Sequence, residues 1–275
     1  MTRRLLPLLL CCAAACTADD APYPEHAAYK PMPPAALSCV PNLDGKIDAA
    51  ELRAGLGVVA RYLVSTAPRT VDVAGKQFTS GTHWSFTGDY ADDRVVEIGP
   101  SKPEGTWFAA SFPGATFTAP FDAGATTIAI YAATDSSIQL LGLASAEENP
   151  KEGKTLLIYE TPIDAYRFPL QPGASWVSAS LVKNATLRGL PYFGKDTYEI
   201  AVDGSGILDL PDLELSQAIR VRTKVTVQPD AGPAVVQRQA QFLFECFGEV
   251  ARATSQNGEQ NDDFTTAAEV RRLGF

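Results

Sequence analysis

Ile219-Arg220-Val221-Arg222-Thr223-Lys224-Val225-Thr226-Val227 is followed, after Pro229-Asp230-Ala231-Gly232-Pro233, by the segment Ala234 to Phe247, and this pair decides the fold class. In the first segment Ile219, Val221, Thr223 and Val225 alternate with Arg220, Arg222 and Lys224. Successive side chains of an extended chain point to opposite faces, so a period of two sorts these residues onto an apolar face and a cationic one. In the second segment Gln237, Gln239 and Gln241 share one face, and Ala240, Phe242, Phe244 and Cys246 share the other. The Pro- and Gly-containing stretch between them suits a chain reversal. The two segments are therefore predicted to pair as an antiparallel hairpin, each with one buried face.

The same period extends outward. Tyr198, Ile200 and Val202 alternate before Asp203-Gly204-Ser205-Gly206, which reads as a turn. Arg61 to Val73, His83 to Phe86, Trp107 to Phe112, Thr126 to Ala132 and Thr155 to Tyr159 are further strand candidates separated by turn residues. Helical patterning is confined to a short turn from Asp48 towards Leu56 and to Thr265 to Arg272. The expectation is a mainly β domain over residues 39–275, an antiparallel two-sheet β-sandwich of jelly-roll-like form with a short N-terminal helical turn. A sub-boundary is placed near residue 160. The stretch from Tyr166 to Arg222 contains Phe168-Pro169-Leu170, Pro172-Gly173-Ala174-Ser175-Trp176, Asp203 to Gly206, Leu208-x-Leu210-Pro211 and Arg220-Val221-Arg222. In this it resembles uncharacterised secreted or surface β-sandwich proteins of bacteria, which implies surface location and a β fold but no activity.

The N-terminal segment carries an address. Arg3 and Arg4, an apolar stretch from Leu5 to Leu10 broken only by Pro7, and Ala13-Ala14-Ala15 before Cys16 make the three parts of an export signal, residues 1–15. The apolar stretch is shorter than the roughly 20 residues that a spanning helix needs. Ala13-Ala14-Ala15-Cys16 resembles the lipobox of bacterial lipoproteins, with Ala13 where Leu is usual. The resemblance implies acylation of Cys16 and, with Thr17 rather than Asp next, sorting to the outer membrane. Plain cleavage without acylation is the alternative. Residues 16–38, with Pro22, Pro24, Pro31, Pro33 and Pro34, read as a tether that at about 3 Å per residue reaches roughly 70 Å. The membrane is thus an expected partner, engaged through the lipid anchor.

Losing Arg3 and Arg4 with the signal takes the formal net charge from −9 to −11. An acidic chain without a Lys/Arg cluster offers no electrostatic footprint for nucleic acid or anionic head groups. Three of the five cysteines fall in the signal region, leaving Cys39 and Cys246. In an oxidising compartment two thiols are expected to form one disulfide. Closing a loop of about 200 residues, it stabilises by at most roughly 5 kcal/mol on the chain-entropy account. Two separate thiols are the alternative, with Phe242, Phe244 and Phe247 around Cys246.

Val40 to Leu52 resembles a single EF-hand loop. With Gly45 at the turn, Asn42, Asp44, Asp48 and Glu51 fall on ligand positions for Ca²⁺, while Val40 stands where the first carboxylate belongs. The other reading is an Asn-x-Asp-Gly turn followed by a capping box, in which Asp48 and Glu51 begin a helix.

Catalytic patterning is sparse. His26 and His83 are the two histidines, and only His83 lies in the domain. Gly173-Ala174-Ser175-Trp176-Val177 lacks the closing Gly of a nucleophile elbow, and no His-Glu-x-x-His or phosphate-loop pattern occurs. Asp92, Asp93, Glu97 and Asp203 are available to carboxylate chemistry, and Trp84, Trp107 and Trp176 either fill the core or offer faces to sugars. The expected function is a tethered surface binding or adhesion module for polysaccharide or a surface protein, rather than an enzyme. A surface glycosidase and an envelope protein without a small ligand are the alternatives.

Overall fold

The computed structural model describes residues 39–274. The export signal, Cys16, His26 and the tether 16–38 lie outside the described residues. Within them α1 (Ala49–Leu56) precedes fifteen strands. The short ones come first: β1 (Ala60–Ser65), β2 (Arg69–Thr70), β3 (Lys76–Phe78), β4 (Gly81–Ser85), β5 (Arg94–Ile98) and β6 (Phe117–Pro120). Mostly longer ones follow: β7 (Thr127–Ala133), β8 (Ser137–Ser145), β9 (Leu156–Arg167), β10 (Ser175–Leu187), β11 (Leu190–Asp209), β12 (Glu214–Pro229), β13 (Val235–Phe244), β14 (Gly248–Ser255) and β15 (Thr266–Leu273).

The alternation that opens the sequence produces its hairpin. β12 and β13 pair antiparallel, with Val225 opposite Gln237, Thr223 opposite Gln239 and Val221 opposite Gln241. Hydrogen bonding then runs without a break through β5-β1-β15-β14-β13-β12-β11-β10-β9-β8-β7-β6. The mainly β, antiparallel expectation is met, and the strands belong to one bonded sheet whose layering comes from curling. Its two end strands approach each other. Beyond β5 the chain reaches Ser101, which exchanges backbone hydrogen bonds of 2.9 and 2.8 Å with Thr118 of β6. The sheet is therefore nearly closed and barrel-like.

One end of this sheet is covered by α1. The Glu51 carboxylate accepts the Asp48 N–H at 2.8 Å, one half of the capping box read from the sequence. Ile47 exchanges two backbone bonds of 2.9 Å with Leu170. Ile47 and Leu52 pack among Ile138, Trp176, Ile219 and Leu243 on the inner face. The Cys39–Cys246 disulfide is formed, with Cα atoms 5.6 Å apart, and ties the start of the described chain to the β13–β14 turn. Beside it the Glu245 carboxylate accepts the backbone N–H groups of Asn42 and Leu43 at 2.7 Å each.

The outer face of the central strands is covered as well. Val73, Trp84 and Phe86 pack on Ala240, Phe242, Phe244 and Val270. Trp84 is only 1% exposed and meets Phe242 edge-on at 5.1 Å. Arg220 lies 5.0 Å above the Trp84 ring and forks onto Asp203 at 2.8 and 3.1 Å. The hairpin thus buries much of both faces, which corrects the expectation of a single buried face. The arginine stem packs as apolar surface while the guanidinium keeps its partners.

Three local expectations are also corrected. Asp203 to Gly206 continues β11 as far as Asp209, with register shifts beside Gly204 and Gly206. Glycine is required there because β4 docks in parallel on β11, and a Cβ on Gly206 would stand 2.1 Å from the Thr82 carbonyl oxygen. Thr265 to Arg272 forms strand β15, because pairing to β14 and β1 on its two sides overrides local helical preference. Trp107 to Phe112 holds a 3₁₀ turn at Ala109–Ser111, which sets Phe108 and Phe112 against Ile130 and Ala144. Residue 160 lies within β9, bonded to β8 and β10.

Gly206→Ala is expected to push β4 off β11 and to cost about 1–3 kcal/mol, the range for overpacking at a tight contact. Urea unfolding followed by tryptophan emission measures this, since Trp84 sits on β4. An unchanged midpoint would show that the close approach is dispensable.

Candidate functional site: a cavity inside the curled sheet

Inward-facing side chains enclose a cavity of about 420 Å³. Its wall is largely apolar, with Leu140, Leu143 and Leu157 from β8 and β9. The nearly closed sheet also turns the Gln237, Gln239, Gln241 row inward, beside Tyr131, Tyr159, Tyr166 and Tyr198. Lining residues reach the surface at both ends. Val58 and Phe247 are exposed beside α1, and Leu187 and Val235 at the opposite end of the strands.

Two polar clusters interrupt the apolar wall. In the first, Gln241 Nε2 donates to Tyr166 Oη at 3.1 Å and to Glu249 Oε2 at 2.9 Å. Arg252 Nε lies 3.4 Å from Glu249 Oε1, an ion pair without a hydrogen bond, so this nitrogen is buried without a hydrogen-bond partner among the described residues. Arg271 pairs with Glu269 and donates to the Phe121 carbonyl at 3.2 Å. Two arginines face two glutamates, so the cluster is neutral as a unit. Burial works against the charge on Arg252, yet Glu249 and Glu269 raise its pKa; Arg271, desolvated and facing Arg252, is lowered.

The second cluster centres on Asp196 of β11, whose backbone is opposite Val227 near the Val235 end. Asp196 is 4% exposed. Its Oδ2 accepts the Tyr159 hydroxyl at 2.8 Å, and Tyr159 Oη lies 3.4 Å from Tyr198 Oη. Tyr159 has one proton and gives it to Asp196, so Tyr198 is the donor in the second bond. Asp196 Oδ1 and Tyr192 Oη are buried without a partner among the described residues. Burial raises the Asp196 pKa, with the Tyr159 hydrogen bond pulling the other way. Burial also lifts Tyr159 well above its ordinary value and Tyr131 to about 12, so both phenols are neutral at physiological pH.

The residues singled out from sequence lie elsewhere. Asn42, Asp44, Asp48 and Glu51 are gathered in one loop but are engaged with each other and with Lys46. Asn42 Oδ1 accepts the Asp44 N–H at 2.9 Å, and Asn42 Nδ2 donates to Glu51 Oε1 at 3.0 Å. Lys46 Nζ is 3.6 Å from both the Asp44 and the Asp48 carboxylates. Among the described residues no group of three or more His, Cys, Asp and Glu side chains is arranged to hold a metal ion. Asp92 accepts the Ala67 N–H, the Arg69 guanidinium, the Ser65 hydroxyl and the Thr66 N–H, which hold its carboxyl well below the usual range. Asp93 pairs with Arg272, Glu97 with Arg61 and Asp203 with Arg220. His83 meets Ser80 Oγ at 2.8 Å. Trp84 and Trp176 are buried, and Trp107 donates to the Ser145 carbonyl with Lys154 over its ring.

Sequence reasoning passed over Asp196, Tyr159, Tyr192 and Arg252. A signal existed for two of them. Tyr192 and Asp196 are in phase with Tyr198, Ile200 and Val202, so the alternation places all five on one face. No protein-family model, curated protein or solved structure matches the chain.

A carboxyl that holds its proton more tightly in the folded than in the unfolded chain makes the fold less stable as pH rises above its ordinary pKa of 3.8. Asp196→Asn removes that loss while keeping an acceptor for Tyr159. The variant should therefore melt higher than wild type at pH 7 and show no such gain at pH 3. A lower melting temperature at pH 7 would mean that the fold needs the carboxylate.

Proposed function

We propose that this protein is an exported lipoprotein of the cell envelope, tethered through Cys16 by residues 16–38, and that its barrel-like domain binds a small ligand inside the sheet. The export and acylation part is supported by the Ala13-Ala14-Ala15-Cys16 run, and Thr17 favours the outer membrane. The binding part is carried by one observation, the largely apolar cavity with buried polar atoms in its wall. Small-molecule sites are concave and mainly apolar, with a few placed polar groups, and about 420 Å³ falls within their usual range. A polysaccharide would need an open groove or a flat aromatic face, whereas Trp84 and Trp176 are buried and the half-buried Trp107 ring is covered by Lys154. The binding role is thus assigned to a single molecule in the interior. In this reading the curled sheet serves as a container rather than as a sandwich presenting an outer face.

N-phenyl-1-naphthylamine, an uncharged apolar fluorophore at neutral pH, is expected to brighten on binding one-to-one. Val225→Trp sets an indole into the cavity from a half-buried position and should weaken the probe at least about tenfold. Equal binding to this variant would place the probe outside and sink the interior reading. The anchor is checked separately. The intact mass of membrane-extracted protein should show diacyl or triacyl additions on Cys16, and an unmodified soluble product would remove the tether.

A further inference from the structure

Resting on the cavity as a ligand site, we propose that its ligand carries a primary ammonium group on an apolar body, and that Asp196 is the residue that selects it. The first ground is an unmet hydrogen bond. Buried polar atoms in native proteins nearly always have a partner, and Asp196 Oδ1 has none although the residue is 4% exposed. It belongs to a residue of the cavity wall, as does the other unpartnered atom nearby, Tyr192 Oη. A molecule in the cavity would supply what the chain does not.

The direction of the hydrogen bonds narrows the class. The Tyr159 proton goes to Asp196 Oδ2 and the Tyr198 proton goes to Tyr159. What remains free is accepting capacity, on Asp196 Oδ1 and on the Tyr198 oxygen, together with the versatile Tyr192 hydroxyl. An ammonium group brings three donors and no acceptor, an alcohol brings one donor, and a carboxylate brings none. The site therefore matches the ammonium best and rejects the carboxylate.

Charge points the same way. The arginines of the cavity wall, Arg252 and Arg271, face Glu249 and Glu269. Lys195, next to Asp196 in sequence, is exposed on the opposite face of β11. The Asp196 carboxylate has no ion pair within the described chain. A ligand cation would meet an uncompensated charge in a desolvated site, where charge-assisted bonds are roughly twice as strong as neutral ones. Beyond the carboxylate, Leu140, Leu143 and Leu157 line the cavity in the same apolar cluster as Tyr159 and would bury a hydrocarbon body. Burial of the carboxyl, which raises its pKa, is the cost that a bound ammonium would offset.

The test is calorimetry at pH 7 on the full chain carrying Cys16→Ser, which leaves it free of acyl groups and detergent. Three ligands share one tail: octylamine, octan-1-ol and octanoate. Octylamine should bind at least about tenfold tighter than octan-1-ol, the margin expected when a charge-assisted bond replaces a neutral one, with octanoate weakest. Asp196→Asn should bring octylamine down to the octan-1-ol level, while continued brightening of N-phenyl-1-naphthylamine, which carries no ammonium group, shows the cavity of the variant intact. If wild type binds all three equally, or if Asp196→Asn keeps the preference for the amine, the ammonium proposal falls and the cavity reading stands. If none of the three binds, the cavity reading itself fails and the proposal goes with it.

Discussion

Backbone hydrogen bonding around a single sheet is the constraint on which the rest of the molecule depends. Each strand from β7 to β15 has a neighbour on both sides along the path, whose ends are β5 and β6; the short β2 and β3 lie off it. An exposed edge leaves a row of unpaired N–H and C=O groups that invite association. The chain reduces this exposure by curling until Ser101 bonds to Thr118. Once the sheet curls, every alternating strand acquires an inside and an outside, and both need covering. The segment carrying Trp84 and Phe86 covers the outside of the central strands, while α1 covers one end of the inside. The fold's unusual features, including Gly206 beneath β4, follow from that double requirement.

The interior is where packing and polarity conflict. An inner face filled only by large aliphatic groups would leave no room for Gln237, Gln239 and Gln241, yet the register that puts Val221 and Val225 inside also puts these glutamines inside. The conflict is resolved in two ways. Near α1 the polar groups balance one another in charge, with Gln241 bridging Tyr166 and Glu249 and each arginine facing a glutamate. Such neutral, bonded sets lower the cost of burial without necessarily adding stability. At Asp196 the resolution is incomplete, because one carboxylate oxygen has no partner. Arg252 Nε also lacks a hydrogen bond, but it stands 3.4 Å from a carboxylate, whereas Asp196 faces no cation, so the two clusters differ in charge balance.

Much of the fold was legible because alternation reports local geometry directly. The Ile219 to Val227 and Ala234 to Phe247 segments pair in the expected sense, and Cys39 and Cys246 join. What escaped was set by partners distant in sequence. Asp203 to Gly206 has turn composition, yet its glycines serve the approach of Thr82 and Trp84, more than a hundred residues earlier. Thr265 to Arg272 has a helical look until β1 and β14 flank it. The cavity residues were hidden for a related reason. Glutamine or aspartate on one face of a strand ordinarily means solvent, and only curling of the sheet turns that face inward. The motif-like loop from Asn42 to Glu51 was conspicuous in sequence, but its side chains satisfy a turn, a helix start and Lys46.

Position along the strands links the two halves of the functional reading. The described chain starts at Cys39, held to Cys246 beside the end that α1 covers. Asp196 lies toward the other end, where β11 is bonded to the last residues of β12 and these to Val235 of β13. That end carries the exposed lining side chains Leu187 and Val235. In the proposed complex a polar head at Asp196 would lie toward that end, with its apolar body against Leu140, Leu143 and Leu157. The reverse orientation, head inward, would strand a charge against the neutral Arg252 and Glu249 cluster with no free partner.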